Sequence, residues 1–403
     1  MVMTMILKPS RRIAAVAALA GALVFAYAHV ANAQGARVFE WVEGTPALVA
    51  DLNSGQVLYS ENATDPWFPA SLTKMMTAYV ALEEVRAGRM SMDSLLTVTP
   101  HAAARPASKM GFKAGERIRL DNALIIIMVG SANDVATTIA EGVSGSVENF
   151  VAKMNLAAAR LGMHDSYFAN PSGLPDARKR TSARDMALLA RALWREFPGV
   201  RELYGLESIR HGSRVMRNGN GLVGRYAGTT GMKTGYVCSS GFNVVATAQR
   251  GGRDLVAIVM GAPTAIQRTA KSASLLEYGF STFGGFGRAN LETMPRSPKA
   301  DPPDLRPVFC TPNGRRPLAM GESGSNRGAT TNAAFAGLFG GSGGTRLPVV
   351  ELPERGPPQP IRVWTGATPP GAEQAVATPP AASAGAPVSG QRPVPMPPRR
   401  PAF

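Results

Sequence analysis

The stretch Pro69-Ala70-Ser71-Leu72-Thr73-Lys74-Met75-Met76-Thr77-Ala78-Tyr79-Val80-Ala81-Leu82 decides how the rest of the chain is read. Pro69 precedes a helix start, and the largely apolar run after it predicts a helix packed into a core. A serine and a lysine three residues apart in its first turn share one face. Ser71 lies where unpaired backbone N–H groups and the positive end of the dipole face outward. A desolvated Lys74 could lose its own proton and take one from the Ser71 hydroxyl, leaving a nucleophile. The competing reading is a capping serine followed by a solvated lysine, and the pair alone does not choose between them.

Working outward, Ala47-Leu48-Val49-Ala50-Asp51 and Gln56-Val57-Leu58-Tyr59-Ser60 flank Asn53-Ser54-Gly55, a strand–turn–strand hairpin. Downstream, the helix ends near Ala87-Gly88, and residues 91–120 read as turns and short strands. The apolar run 124–129, preceded by Asp121-Asn122, reads as a short buried helix. Ser131-Ala132-Asn133-Asp134 opens the next helix, and Ser146 caps another that Gly162 ends. Ser182-Ala183-Arg184-Asp185 reads as a variant capping box, with Met186, Leu189, Leu193 and Phe197 on one face. Strands return at 228–236, 243–249 and 254–261, the last two joined across Gly251-Gly252, and a helix follows over 265–283. About five strands are thus split between the two ends of the region. This predicts an α+β fold: one five-stranded antiparallel sheet flanked by helices, with a helical subdomain inserted.

The ends of the chain differ in composition. Lys8, Arg11 and Arg12, the apolar residues 13–28 and Ala31-Asn32-Ala33 predict a signal peptide over residues 1–33, cleaved before Gln34. The protein is therefore expected to be exported. A catalytic unit is expected over 34–285 and a Pro/Ala/Gly-rich, largely disordered tail over 286–403. From Met294 onward lie 22 of the 32 prolines, too many for a packed core. Within that tail, Val308-Phe309-Cys310 and Leu347-Pro348-Val349-Val350-Glu351-Leu352 are docking points at most. Cys238 and Cys310 are the only cysteines, and an oxidising compartment allows one disulfide between them, against the alternative of two buried thiols. The net charge of +15 indicates anionic surroundings. Dispersed basic residues, without Cys/His finger spacing or interleaved aromatics, argue against nucleic acid, and a charged cell wall fits instead. Two locations stay open: soluble in the periplasm after signal cleavage, or held weakly at the wall or membrane surface through the basic tail.

Three short pieces then recur in order: Ser71-Leu72-Thr73-Lys74, Ser131-Ala132-Asn133 and Lys233-Thr234-Gly235. Taken singly, the second is a helix cap and the third a strand end. In this order, in an exported chain, they form a specific set. With Phe168-Ala169-Asn170-Pro171-Ser172-Gly173-Leu174-Pro175-Asp176, Val244-Val245-Ala246-Thr247-Ala248, Gly261-Ala262-Pro263-Thr264 and Arg268, the chain resembles the low-molecular-weight penicillin-binding proteins over roughly residues 47–283. Specifically, it is similar to the serine-type D-alanyl-D-alanine carboxypeptidases, of β-lactamase/transpeptidase-like fold.

The resemblance implies removal of the terminal D-alanine from peptidoglycan stem peptides through an acyl-enzyme, with β-lactam antibiotics as covalent inhibitors. It implies Ser71 as nucleophile, Lys74 as its base, with a pKa lowered by burial and by Lys233, and Ser131 as proton relay to the leaving amine. Asn133 would hold the substrate amide, and the N–H groups of Ser71 and Tyr236, after Gly235, would form the oxyanion hole. Lys233, Thr234 and Arg268 would gather the terminal carboxylate. No cofactor or metal is implied: no His-Glu-x-x-His spacing occurs, and none of His101, His164 and His211 stands beside a Gly-x-Ser-x-Gly elbow. Asp134 reads as a helix-start charge. Thr230 stands where many such proteins carry aspartate, and neither their second β-rich domain nor their amphipathic anchor helix is recognisable.

The rivals separate on particular residues. A class A β-lactamase needs a glutamate in a Glu-x-x-Leu-Asn segment to activate the deacylating water, and residues 168–175 contain none. A D,D-endopeptidase would use the same residues in a groove of another shape. A non-enzymatic wall- or polyanion-binding protein would not need the complete motif set.

Overall fold

The computed structural model describes residues 41–282, 289–310 and 345–366. β1 (Ala47–Asp51) and β2 (Val57–Glu61) form the expected antiparallel hairpin. Its turn closes on the Asp51 carboxylate, which accepts from the main-chain N–H groups of Asn53 and Ser54. α1 (Thr73–Arg86) follows, then a small ribbon of β3 (Leu95–Thr97) and β4 (Arg117–Arg119). The helical lobe comprises α2 (Leu120–Ile125), α3 (Asn133–Ser144), α4 (Val147–Arg160) and α5 (Ala183–Glu196). A hairpin of β5 (Ser208–His211) and β6 (Arg214–Arg217) leads back to β7 (Thr229–Val237), β8 (Gly241–Arg250) and β9 (Arg253–Ala262), and α6 (Ala265–Ser281) closes the unit.

The main sheet has the order β2-β1-β9-β8-β7, with every neighbouring pair antiparallel. β1 and β9, from opposite ends of the unit, pair directly, with Ala47 opposite Val259. Period-two alternation sorts the two faces. Leu48, Ala50, Val245, Val256 and Ile258 pack toward the helical lobe. Ala47, Val49, Val244, Ala246, Ala257 and Val259 pack with Ala273, Leu275 and Leu276 of α6. Because both faces are covered, the central strands read as nearly continuous apolar runs. The expected fold class is the observed one.

Three details depart from expectation. The apolar run 124–129 is not one helix: α2 opens into a π-helical turn, Ile126–Gly130, which stops at Ser131 in the left-handed region (φ 58°, ψ 29°). The wider turn breaks the helix so that Ser131 stands at a bend between two helices, which helical periodicity does not encode. Ser182 caps α5 as expected, its Oγ accepting from Asp185 N at 3.1 Å. The Asp185 carboxylate, however, serves tertiary structure, accepting from Asp165 N and Ser166 Oγ at 2.8 Å each.

The third departure concerns the tail: the two expected docking points pack onto the body through Phe309 and Leu347, and the packing extends beyond them. Leu291, Leu305, Phe309, Leu347, Val363 and Trp364 are buried, and β10 (Pro360–Arg362) adds to β5 in parallel. A few large apolar residues, dispersed among prolines, suffice because the body supplies the other half of each contact. The expected signal peptide and most of the remaining tail lie outside the described residues. Among the described residues, no helix is long and apolar enough to cross a membrane.

Candidate active site

α1 is entered through a 3-10 turn, Ala70–Leu72, that begins at Pro69. Ala70 holds a positive φ of 49°, a strained conformation for a residue with a Cβ. Two glycines from elsewhere pin it. Gly173 has φ +89°, and a Cβ there would lie 2.0 Å from the Ala70 carbonyl oxygen. A Cβ on Gly235 of β7 would lie 2.8 Å from Ser71 N and 3.1 Å from the Ala70 Cβ. Only glycine lets the loop and the strand come this close to the helix start.

Lys74 lies one turn into the same helix and is fully buried. Its Nζ donates to Ser71 Oγ (3.1 Å), Asn133 Oδ1 (2.7 Å) and the Ser172 carbonyl oxygen (2.5 Å). An ammonium has three N–H donors and a neutral amine two. On losing a proton, the amine keeps its two shorter bonds and turns its lone pair to Ser71 Oγ. Burial drives the Lys74 pKa well below the ordinary lysine value; the positive charges of Lys233 and Lys179 push the same way, and Asp134 opposes them. Burial and these two cations therefore favour the neutral amine at Lys74.

Asn133, at the start of α3, has its Oδ1 committed to Lys74 and donates from Nδ2 to the Pro106 carbonyl oxygen at 3.0 Å. That leaves one amide N–H. Asp134, expected as a helix-start charge, accepts from Val135 N at 2.9 Å and beyond that expectation also from the N–H groups of Met110 (3.1 Å) and Gly111 (2.8 Å), which ties a distant loop to the start of α3.

Ser71, Ser131, Asn133, Thr234, Gly235 and Tyr236 line one cavity of about 730 Å³, within the usual range for a small-ligand site. The three motifs therefore converge. Lys233 is buried and is not among the lining residues, but lies close enough to act on Lys74 by charge. Arg268 is not among the lining residues; it is buried on α6, with its guanidinium donating to the Gly219 carbonyl oxygen at 2.7 Å. Cys238 and Cys310 form the disulfide, and Cys238 lies on the cavity rim. None of the three histidines lines the cavity.

Sequence reasoning missed Lys179. It sits inside Arg178-Lys179-Arg180, which reads as a solvated basic run. Yet Lys179 is 2% exposed, lines the cavity and donates to the Leu174 carbonyl oxygen and, at 3.4 Å, to Asn170 Oδ1. Asn170 Oδ1 also accepts from Gly173 N at 2.8 Å. Lys179 thus closes the loop that carries Ser172 and Gly173 upon itself. Burial brings its pKa down to about 7. Asp176 is the acid that lines the cavity, and its carboxylate is held by Arg178 at 2.8 Å, which brings its pKa down to about 2.

A family model described as D-alanyl-D-alanine carboxypeptidase, of the S11 peptidases, matches residues 33–264. D-alanyl-D-alanine carboxypeptidase DacF of Bacillus subtilis is 33% identical over 267 residues, which are 65% of this chain and 68% of that protein. D-alanyl-D-alanine carboxypeptidase DacA of Escherichia coli K12 is 33% identical over 287 residues, 68% of this chain and 71% of its own. Among solved structures, D-alanyl-D-alanine carboxypeptidase DacD from Francisella tularensis aligns with a TM-score of 0.57 at 27% identity, covering 62% of this chain and 72% of that one. Penicillin-binding protein D2 from Listeria monocytogenes, in an ampicillin-bound form, aligns with a TM-score of 0.52 at 28% identity, covering 61% and 99%.

Proposed function

The chain belongs to the D-alanyl-D-alanine carboxypeptidase family of S11 serine peptidases, and from that premise we propose that it releases the terminal D-alanine of peptidoglycan stem peptides. The observation that carries this reading is the fully buried Lys74, whose amine lies 3.1 Å from the Oγ of Ser71, a residue lining the cleft.

In the proposed reaction the Lys74 amine takes the Ser71 hydroxyl proton as Oγ attacks the carbonyl between the two D-alanines. The developing oxyanion is held by the N–H groups of Ser71 and Tyr236, which the close approach at Gly235 brings near each other. The Ser131 hydroxyl passes a proton to the departing amine, and the free N–H of Asn133 holds the substrate amide. Thr234 receives the terminal carboxylate at the cavity wall, and the buried Lys233 beside it supplies positive charge from behind. Arg268 acts behind them, bracing the main chain at Gly219. Water, giving its proton to the Lys74 amine that the departure of D-alanine restores, then releases the shortened peptide from Ser71.

β-lactams would acylate Ser71 by the same route and stay attached. The cavity-lining acid, Asp176, is bound to Arg178 and too weak a base to activate a deacylating water. That favours the carboxypeptidase over the β-lactamase reading. The signal-like N-terminus and the disulfide support export into an oxidising periplasm, and the net charge of +15 suits an anionic wall.

Labelling with a fluorescent penicillin, together with D-alanine release from a peptide ending in D-Ala-D-Ala, tests the proposal. The wild type is expected to label and to release, Ser71→Ala to do neither, and Lys74→Ala to acylate about 10²–10⁴-fold more slowly. A wild type that neither labels nor releases would refute it.

A further inference from the structure

One wall of the cleft comes from beyond the last helix of the sheet. Cys238 and Ser239 lie on the rim together with Arg306. The segment that carries Arg306 is anchored from both ends. Cys310 is disulfide-bonded to Cys238, with Cα atoms 5.7 Å apart. Leu305 N donates to the Ser239 carbonyl oxygen at 3.2 Å. Between them, Phe309 is buried against Gly241, where a Cβ would come within 2.8 Å of its ring. Tyr236 Oη stands 3.7 Å from Cys310 Sγ, so the segment also touches the strand residue placed at the oxyanion.

The direction of a bound peptide follows from the pose proposed above, on which this inference rests. With the terminal carboxylate at Thr234 and the scissile carbonyl at Tyr236, the residues upstream of the D-alanine pair continue along β7 toward Cys238 and Ser239. Two cations line the cavity. Lys179 is 2% exposed and turned onto its own loop. The Arg306 side chain is 70% exposed; its Nε donates to Asp304 Oδ1 at 2.9 Å and its Nη2 to Asp304 Oδ2. Asp304 therefore orients the guanidinium and leaves the two Nη1 hydrogens facing outward. The acid that lines the cavity, Asp176, is already paired with Arg178.

We propose that the stapled segment 304–310 forms an upstream subsite, and that Arg306 is a specificity-determining residue for a stem peptide bearing a side-chain carboxylate immediately before the D-alanine pair. The contact is solvent-exposed and shared with Asp304, so a modest preference is expected, about fivefold. The test uses the full chain and two peptides ending in D-Ala-D-Ala, identical except that the preceding residue carries a free carboxylate or its carboxamide. The reading is the ratio of kcat/KM for D-alanine release, in which general effects on activity cancel. The wild type should favour the carboxylate by about fivefold, Arg306→Ala should bring the ratio to about one, and Arg306→Lys should keep part of the preference. A wild-type ratio of one, or an unchanged ratio in Arg306→Ala, overturns the inference while leaving the carboxypeptidase reading intact. A wild type that releases D-alanine from neither peptide overturns both.

Discussion

Lys74 and Lys179 are two buried lysines with different work. Lys74 points at the nucleophile, whereas Lys179 closes the neighbouring loop upon itself. They are coupled by charge: burial lowers the Lys74 pKa most, Lys233 from β7 and Lys179 from the loop lower it further, and Asp134 from α3 opposes them. Lys179 itself titrates near pH 7, so it is charged below that pH and neutral above it. Removing the charge in Lys179→Met raises the Lys74 pKa wherever Lys179 was protonated, leaving less of the base form. The expected outcome is an acylation profile, normalised to its alkaline plateau, that falls below the wild type under pH about 7 and merges with it above. Stopped-flow acylation by a chromogenic β-lactam across that range checks this, and superimposable profiles would remove Lys179 from the electrostatics of the base. The contrast marks what sequence can reveal about single residues. Ser71 and Lys74 offer themselves as candidates by spacing within one helical turn, and the two later motifs decide between the catalytic and the capping reading. Lys179 gives no such sign, because its burial depends on a loop folding over it. Arg268 matched a motif, yet its guanidinium is turned to a backbone carbonyl away from the cavity lining.

At the scale of elements, catalysis depends on how closely β7 and the loop 170–179 approach the start of α1. Gly235→Ala would place a Cβ 2.8 Å from Ser71 N and 3.1 Å from Leu72 N. Backbone on one side and β8 pairing on the other leave no flexible atom to yield, so the strand must retreat from the helix start. A retreat that removes one oxyanion donor costs about 10²–10³-fold in rate. Acylation and D-alanine release by Gly235→Ala should therefore fall together by that amount while the circular dichroism spectrum stays native. Acylation within tenfold of wild type would show that the oxyanion is not held between Ser71 and Tyr236. The strands and capped helices were legible because alternation and capping residues act over a few positions, as at Ser146 and Ser182, whose hydroxyls accept from Asn149 N and Asp185 N. The π-helical turn before Ser131 was not, since apolar residues pack equally well in either helix and only the site requires the bend.

For the whole molecule, the boundary placed at residues 285/286 separates compositions rather than packed from unpacked chain. The described tail segments bury Leu291 and Phe309 in the same core as the helical lobe, and Leu347 in the core beneath α6. They are few and proline-rich, so their hold on the body depends on being kept near it. The Cys238–Cys310 bridge supplies that, closing a separation of 72 residues. Its stabilisation comes chiefly from restricting the unfolded chain, and a loop of that length corresponds to about 4 kcal/mol as an upper figure. Cys310→Ser should therefore unfold at lower urea concentration than the oxidised wild type, by up to about 4 kcal/mol in extrapolated stability. Its m-value should be larger, because the unfolded chain without the bridge exposes more surface. Adding reductant should bring the wild type onto the same curve and leave the variant where it was. If reductant shifts neither curve, the bridge is absent in solution, and the segment bearing Arg306 is held by Leu305 and Phe309 alone.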